Sequence, residues 1–267
     1  MQFSVLLSVY NKEVPENLNL ALNSIIEQTI LPNEIILVMD GFINPLLMNV
    51  INDFQLKCNL FHTIPLKNNV GLGVALKIGL DNCNFEWVAR MDTDDICYPN
   101  RFEKQIEFIE NNPDISVLGT YIQEFNMKPG DLNVFKKGSI SNHFKFAKSR
   151  NPLNHMTVFF NKFHVQNVGS YQHMPDFEDY YLWVRMLVSG YKIQNILTPL
   201  VHVKIGNDMI GRRHGLRYFS NEFHFLRSIY KLNFLNLPEL CFQVMLKFPI
   251  RVLPKFLIKI IYKTVLR

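Results

Sequence analysis

Apolar residues in the first hundred positions form short runs separated by segments of helical spacing. Four runs predict strands, at residues 3–9, 34–39, 60–65 and 87–91. Between them, apolar positions three and four residues apart predict helices at 17–29 and 45–54. Alternating strands and helices predict an α/β fold with a mostly parallel central sheet, flanked by helices and containing a Rossmann-like nucleotide-binding half.

The second half of the chain gives less regular signals. The predicted elements are a helix at 99–110, strands at 115–121, 156–160 and 196–203, and a helix from Glu178 that ends at Gly190. Residues 122–150 are rich in basic side chains and lack periodicity, so we predict an irregular loop region there. No internal repeat interrupts this order of elements.

Polar side chains stand where three of the predicted strands end. Tyr10 follows the first strand, Asp40 follows the second, and Asp92 and Asp94 follow the fourth. Ligands of parallel α/β sheets bind beyond the carboxyl ends of the strands. We therefore expect these side chains to border one crevice.

The acidic residues Asp92, Asp94 and Asp95 place three carboxylates within four positions. Carboxylates this close repel one another unless a cation or N–H donors neutralise them. Mg²⁺ typically uses one or two carboxylates together with substrate phosphates, so one interpretation is a metal–phosphate site. The alternative is a solvated turn before a helix N-terminus, where acidic side chains are favourable in any case.

A glycine-rich turn, Gly71-Leu72-Gly73, precedes another predicted helix. A dinucleotide fingerprint would need a third glycine at position 76, which is Leu76, and would follow the first strand instead of the third. We therefore do not expect a nicotinamide or flavin site. A helix start that contacts a nucleotide remains compatible with this turn, as does a purely structural role.

Charge is unevenly distributed along the 267 residues. Residues 1–203 carry 16 Lys and Arg against 20 Asp and Glu, or −4, whereas residues 204–267 carry 12 against 3, or +9. Four cysteines without metal-ligand spacing indicate reduced thiols and a cytoplasmic protein, and the N-terminus lacks the features of a signal peptide. The basic C-terminal part suggests an anionic partner, such as phosphate or a membrane surface; no nucleic-acid partner is expected.

The C-terminal residues 238–267 combine a basic stripe with a broad apolar face. Lys or Arg recurs at every fourth position from Lys247 to Arg267. We predict short helices, broken at Pro249 and Pro254, that lie on a membrane surface. Packing of this segment on the rest of the protein is the alternative. No apolar run reaches the length of a membrane span.

Taken together, residues 2 to about 215 resemble a family-2 glycosyltransferase with the GT-A fold, most closely the bacterial enzymes of capsule, exopolysaccharide and lipopolysaccharide synthesis. The resemblance rests on the ordered motifs SVLLSVYN, EIILVMDG, NNVGLGVALKIGL, ARMDTDDICYPNRFEKQ, NPLNHMTVFF and FEDYYLWVRML. It implies a nucleotide-sugar-binding half at 1–98 and an acceptor-binding half at 99–215; the basic, amphipathic pattern further predicts a helical, membrane-associating tail at 216–267. The Q-x-x-R-W element of processive synthases is absent from the sequence.

The resemblance also implies roles for single residues. Ser8 and Tyr10 would flank the base, Asp40 would accept a hydrogen bond from uracil or an equivalent base, and Asn69 and Gly71 would lie beside the nucleoside. Asp92 would hold ribose or sugar hydroxyls, and Asp94 would bind Mn²⁺ or Mg²⁺ on the diphosphate. Asp179 matches the catalytic base, and contacts with diphosphate or acceptor would come from a looser set of residues. That set is His155, Glu178, Arg212 and Arg213.

Elementary chemistry agrees with a sugar transfer from a nucleotide-diphosphate sugar, such as a UDP-sugar, to a saccharide acceptor that could be lipid-linked. A divalent cation stabilises a departing diphosphate, and guanidinium groups suit phosphate oxygens. An acceptor hydroxyl needs a base, and a single base predicts one displacement with inversion. Several of these side chains also have structural interpretations: a helix start for Glu178 and Asp179, a buried hydrogen bond for His155, a turn for Asp40 and a solvated loop for the arginines.

Other functions compete with this prediction. A nucleotidyltransferase would need a basic, glycine-rich triphosphate loop after the first strand, and SVYNKEVPEN is not one. A phosphohydrolase would carry its nucleophilic aspartate after the first strand. A non-catalytic nucleotide-sugar-binding protein would keep Asp40 and the metal acids, but would have no use for Asp179.

Overall fold

The computed structural model describes residues 1–206 and 213–252, and they form an α/β structure around one nine-stranded sheet. The strands are β1 (Phe3–Val9), β2 (Glu34–Met39), β3 (Phe61–Pro65), β4 (Trp87–Arg90), β5 (Ile96–Cys97), β6 (Ile115–Phe125), β7 (Val134–Lys136), β8 (Phe159–Asn161) and β9 (Lys192–Lys204). The helices are α1 (Pro15–Ile26), α2 (Pro45–Lys57), α3 (Leu72–Asp81), α4 (Arg101–Glu110), α5 (His143–Phe146), α6 (Lys162–Asn167), α7 (Glu178–Val188), α8 (Leu216–Lys231) and α9 (Leu237–Val252).

The N-terminal half of the sheet is entirely parallel, in the order β3-β2-β1-β4. Alternate residues of β1 enter opposite cores: Val5 and Leu7 pack towards α1 and α2, whereas Leu6 packs towards α3. Burial on both faces explains why the strand is a continuous apolar run. The predicted Rossmann-like half is therefore present, and the carboxyl ends of β1, β2 and β4 meet at one edge of the sheet.

The C-terminal half of the sheet is mixed. Strand β8 pairs antiparallel with both β4 and β6, β9 runs parallel to β6 along most of its length, and the short β5 and β7 add antiparallel partners. The prediction of an irregular loop at 122–150 is wrong in part. Strand β6 continues to Phe125, and β7 and α5 fall within the interval, because pairing with β9 and β7 outweighs the local polarity of Gln123 and Glu124.

Two smaller elements also differ from the sequence prediction. Residues 155–157 form a 3₁₀ turn ahead of β8, so the strand begins at Phe159 and not at Met156. Helix α6 follows β8 directly, with the Asn161 side chain accepting from the His164 amide at 3.2 Å. An asparagine N-cap of this kind starts even a short helix.

Helices α8 and α9 make a hairpin at the C-terminal end of the described chain. The apolar face of α8, including Phe225 and Ile229, packs on α7 and forms a third core with it. Helix α9 continues through Pro249, so the predicted break at this residue is wrong. Pro249 and Met245 are both exposed, and water can bind the Met245 carbonyl that proline leaves without an amide donor.

The predicted break at Pro254 lies outside the described residues. Within residues 1–206 and 213–252, no helix combines the length and the apolar composition that a membrane span requires.

Candidate active site

A cavity of about 370 Å³ lies at the carboxyl ends of β1 and β2. Its lining combines two aromatic rings, several amides, two lysines and one acid: Tyr10, Asn11, Lys12, Asp40, Phe42, Lys67, Asn68 and Asn69. Three of the residues predicted to hold the nucleoside, Tyr10, Asp40 and Asn69, thus border one cavity. Ser8 lies nearby on β1, half-buried and paired with Val38.

Asp40 organises the loop between β3 and α3. Its two carboxylate oxygens accept from the backbone amides of Val70 and Gly71, at 2.7 and 3.1 Å, while the Asn69 side chain donates to its carbonyl at 3.2 Å. Gly71 has a φ of 84°, which favours glycine at this helix start. Asp40 therefore fixes the glycine-rich turn against the end of β2, and its contact with a base stays a prediction.

The three carboxylates after β4 lie together. One oxygen from each of Asp92, Asp94 and Asp95 falls within 4.8 Å of the others. Asp92 forms an ion pair with Arg90, and Asp95 accepts from the Lys204 amide at 3.0 Å. This set of hard oxygen donors fits a divalent cation such as Mg²⁺ or Mn²⁺.

Burial and the charges of neighbouring acids raise the pKa values of Asp94 and Asp95. Burial raises the pKa of Asp94 to about 7, with further contributions from Asp92 and Glu13. Burial followed by the charges of Asp92 and Asp94 raises the pKa of Asp95 well above its ordinary value. A cation would relieve this repulsion, so binding of the cation should displace protons from the cluster.

Arg90 is the cation already present among these acids. It is only 2% exposed, and among the described residues its Nε and Nη1 atoms are buried without a hydrogen-bond partner. Burial alone would lower the pKa of Arg90, but pairing with Asp92 raises it overall. The prediction from sequence missed this residue, although a lone charge inside the apolar run WVARM was a signal for it.

The second acidic group, Glu178 and Asp179, begins α7. Asp179 accepts from the Asn151 side chain at 2.6 Å and from the Tyr180 amide at 2.7 Å, so each of its oxygens has a donor. Burial raises the pKa of Asp179, against the lowering effect of these bonds. Burial and then the charge of Asp179 raise the pKa of Glu178 to about 7. Asn151 was also missed as a site residue.

Two observations join the acidic groups into one site. The charge of Arg90 lowers the pKa of Asp94 and of Asp179 alike, which requires both carboxyls to lie near its guanidinium. Gly73, at the start of α3, packs closely on the start of α7: a Cβ there would lie 3.1 Å from the Glu178 Cβ. The nucleotide-side turn and the start of α7 are therefore in contact.

The remaining predicted residues have different surroundings. His155 is buried, shares a 2.9 Å hydrogen bond with the Tyr171 hydroxyl, and has a pKa held well below its ordinary value by burial and by Arg90. This arrangement matches the structural interpretation of His155, and contact with substrate stays a prediction. Arg213 is exposed just before α8, and Arg212 lies outside the described residues.

Comparison with known protein sequences identifies the family. Residues 4–175 match the model of Glycosyl transferase family 2. An uncharacterised glycosyltransferase of Haemophilus influenzae is 40% identical over 100% of both chains. The UDP-Gal:alpha-D-GlcNAc-diphosphoundecaprenol beta-1,3-galactosyltransferase of Escherichia coli is 34% identical over 100% of this chain and 97% of its own.

Solved structures agree on the fold. Residues 1–349 of S. aureus TarS superimpose with a TM-score of 0.67 at 16% identity, covering 99% of this chain and 73% of that one. The complex of the same TarS fragment with UDP-GlcNAc superimposes with a TM-score of 0.66 and covers 85% of this chain and 66% of that one. This chain spans 39% of the longer TarS structure. The predicted GT-A fold is thereby confirmed, and the chain belongs to glycosyl transferase family 2.

Proposed function

We propose that this glycosyltransferase moves a sugar from a UDP-sugar to a saccharide acceptor, with a divalent cation and with inversion at the anomeric carbon. The observation that carries the proposal is that Asp94 and Asp179, from distant parts of the chain, both lie within the electrostatic reach of the buried Arg90. The E. coli relative is named for a UDP-sugar donor, and a TarS structure contains UDP-GlcNAc, which supports this donor class.

The donor would bind in the cavity at the carboxyl ends of β1 and β2. Tyr10 and Phe42 offer aromatic faces for the base, and the ordered turn after Asp40 lies beside the nucleoside. The diphosphate would reach the acids that follow β4. Asp92 and Asp95 already accept from Arg90 and Lys204, so we assign the principal metal-ligand role to Asp94. The bound cation would act as a Lewis acid on the diphosphate.

Asp179 would serve as the base in the transfer itself. It would take the proton of the acceptor hydroxyl while the hydroxyl oxygen bonds to the anomeric carbon and the bond to the diphosphate breaks, with the electron pair leaving on UDP. Asn151 and the Tyr180 amide would hold the carboxylate in place, each donating to one oxygen, and a remaining lone pair would take the proton. A carboxyl with a raised pKa accepts a proton more readily at neutral pH, which suits this role.

We further propose a lipid-linked acceptor, met at the cytoplasmic face of the cell membrane. The E. coli relative is named for a diphosphoundecaprenol-linked acceptor. Helix α9 exposes Phe242, Met245 and Leu246 on one face, and the chain from residue 204 onward carries the +9 charge. Residues 1–98 would bind the donor, residues 99–215 the acceptor, and residues 216–267 the membrane.

The test is UDP release from a panel of UDP-sugars, with a lipid-linked saccharide acceptor, in the presence of Mn²⁺ or EDTA. We expect release from at least one donor with Mn²⁺ and its loss in EDTA. Product anomers determined by NMR should be inverted relative to the donor. Turnover that is unaffected by EDTA would refute the metal requirement, and UDP-sugar binding without turnover of any acceptor would favour the non-catalytic alternative.

A further inference from the structure

The end of α9 is bonded to the short segment that precedes α8. The Arg251 guanidinium donates to the Arg213 carbonyl at 3.3 Å, and the Gly215 amide donates to the Arg251 carbonyl at 2.9 Å. These two bonds join residues 213–215 to the C-terminal helix, more than thirty positions further along the chain.

Arg251 is itself firmly held. Its Nε and Nη2 atoms donate to Glu222 on α8, at 2.8 and 3.1 Å, and its guanidinium lies 4.7 Å from the centre of the Tyr218 ring. Glu222 is only 1% exposed. A fork that binds a buried carboxylate with two nitrogens has a fixed orientation, so the third nitrogen is held towards the Arg213 carbonyl.

The segment 213–215 leads into the start of α8, which packs beside the start of α7: the centre of the Tyr218 ring lies 5.5 Å from that of Phe177, two residues before Asp179. The pKa of Lys136, on β7, is lowered by burial and then by the charge of Arg213, whereas the charge of Asp179 raises it. Two positive side chains whose charges act on one another and on the proposed base would favour phosphate oxygens on this side of the site.

We propose that Arg251 is a positioning residue for diphosphate binding: through its bonds to residues 213–215 it holds Arg213 at the mouth of the cleft, so that donor binding depends on a docked α9. This inference rests on the proposed function, in which Arg213 contacts the donor diphosphate. It gives the C-terminal hairpin a role in the active site as well as a role at the membrane.

The experiment compares binding of UDP and of uridine in the presence of Mn²⁺, by calorimetry for UDP and ligand-observed NMR for uridine. The variants are Arg251→Ala, Arg213→Ala and the double variant. Lys247→Ala is the matched control, because Lys247 also pairs with Glu222, at 3.3 Å, but its ion pair does not involve residues 213–215. Thermal melts measure what each substitution does to stability.

We expect Arg251→Ala and Arg213→Ala each to weaken UDP binding by about tenfold, a loss of one charge-assisted contact, with uridine binding unchanged. The double variant should be no weaker than Arg213→Ala, and Lys247→Ala should bind UDP like the wild type. If Arg251→Ala melts well below Lys247→Ala, Arg251→Gln, which keeps a donor for Glu222, replaces it.

Wild-type UDP binding in Arg251→Ala, equal losses for UDP and uridine, or additive losses in the double variant would each overturn the positioning role. Loss of UDP binding in Arg251→Ala but not in Arg213→Ala would also overturn it. Failure of the wild type to bind UDP at all would instead refute the proposed function, on which the positioning role rests.

Discussion

At the scale of single residues, the contact that most directly shapes the proposed base is the 2.6 Å hydrogen bond from Asn151 to Asp179. This bond lowers the pKa of Asp179, while burial raises it. We predict that Asn151→Ala raises the pKa further, because burial then acts with less opposition. A base must be deprotonated to act, so the acidic limb of the kcat/KM profile should move to higher pH, and turnover at neutral pH should fall by roughly tenfold to a hundredfold.

The control for this substitution is Asn133→Ala, which removes an exposed asparagine from the same half of the chain. Its pH profile should match that of the wild type. If Asn151→Ala lowers kcat/KM at every pH without shifting the acidic limb, Asn151 does not set the pKa of Asp179.

Arg90 is the second residue whose surroundings make a sharp prediction. Its ion pair with Asp92 joins a fully buried guanidinium to a partly exposed carboxylate. Arg90→Met should destabilise the fold by about 1–3 kcal/mol, since Asp92 and its acidic neighbours lose their resident cation. The double variant Arg90→Met/Asp92→Asn should recover part of this loss, because it removes one of the repelling charges.

Urea melts of the wild type, both single variants and the double variant make up the thermodynamic cycle. Strict additivity of the two single effects would contradict the coupling between Arg90 and Asp92.

At the scale of elements, α3 depends on a close approach to the sheet. A Cβ on Gly79 would lie 2.4 Å from the Leu6 Cδ1 and 2.7 Å from the Val38 Cγ2, so a larger residue there forces these core side chains or α3 to move. Gly79→Ala gains about 1 kcal/mol of helix propensity, but overpacking of the core costs about 1–3 kcal/mol.

We therefore predict a net loss of stability for Gly79→Ala, together with weaker UDP binding, because α3 begins at the turn that Asp40 fixes. Thermal melts and calorimetry measure the two effects. An unchanged melting temperature would mean that the sheet and helix separate without cost.

The exposed apolar face of helix α9 leads to a prediction about membrane binding. Met245 is 68% exposed and shares a helix face with Phe242 and Leu246. A carboxylate on this face opposes both apolar insertion and attraction to anionic lipids, so Met245→Glu should reduce cosedimentation with anionic phospholipid vesicles several-fold. Leu56→Glu, on an 89% exposed position of α2, is the matched control and should sediment like the wild type.

Equal vesicle binding by Met245→Glu and Leu56→Glu would mean that this face of α9 does not bind the membrane. The hairpin would then serve only to pack on α7 and to hold residues 213–215.

Elements were predictable from sequence where burial and periodicity agree. The runs that became β1 and β2 are apolar on both faces, and their predicted bounds match the structure. The far end of β6 was not predictable, since its polar residues owe their strand conformation to pairing with β9, nearly eighty positions away. The predicted helix break at Pro249 was wrong for a related reason. Pro249 lies near an exposed helix end, where solvent can replace the hydrogen bond that proline removes.

At the scale of the whole molecule, the site is assembled from segments far apart in sequence. The order of the motifs predicted which acids belong to it, and the fold confirmed the sheet edge that gathers the strand ends. Asn151 was missed because its partner Asp179 becomes a neighbour only in the folded chain, and Arg90 was missed because its burial cannot be read from the sequence. The burial of Arg90 arises only in the folded protein. The sequence could therefore show that a charge inside an apolar run is unusual, but could not show its role.

The central claim is that Asp94 and Asp179 act on one substrate in different ways. The most direct measurement is a paired determination, on the wild type, Asp94→Asn and Asp179→Asn, of Mn²⁺-dependent UDP affinity and of sugar transfer from the UDP-sugar that the wild type uses. We predict that Asp179→Asn retains wild-type UDP affinity while transfer falls by about a hundredfold to ten-thousandfold. Asp94→Asn should lose both Mn²⁺-dependent affinity and transfer; transfer that survives in Asp179→Asn would contradict the account.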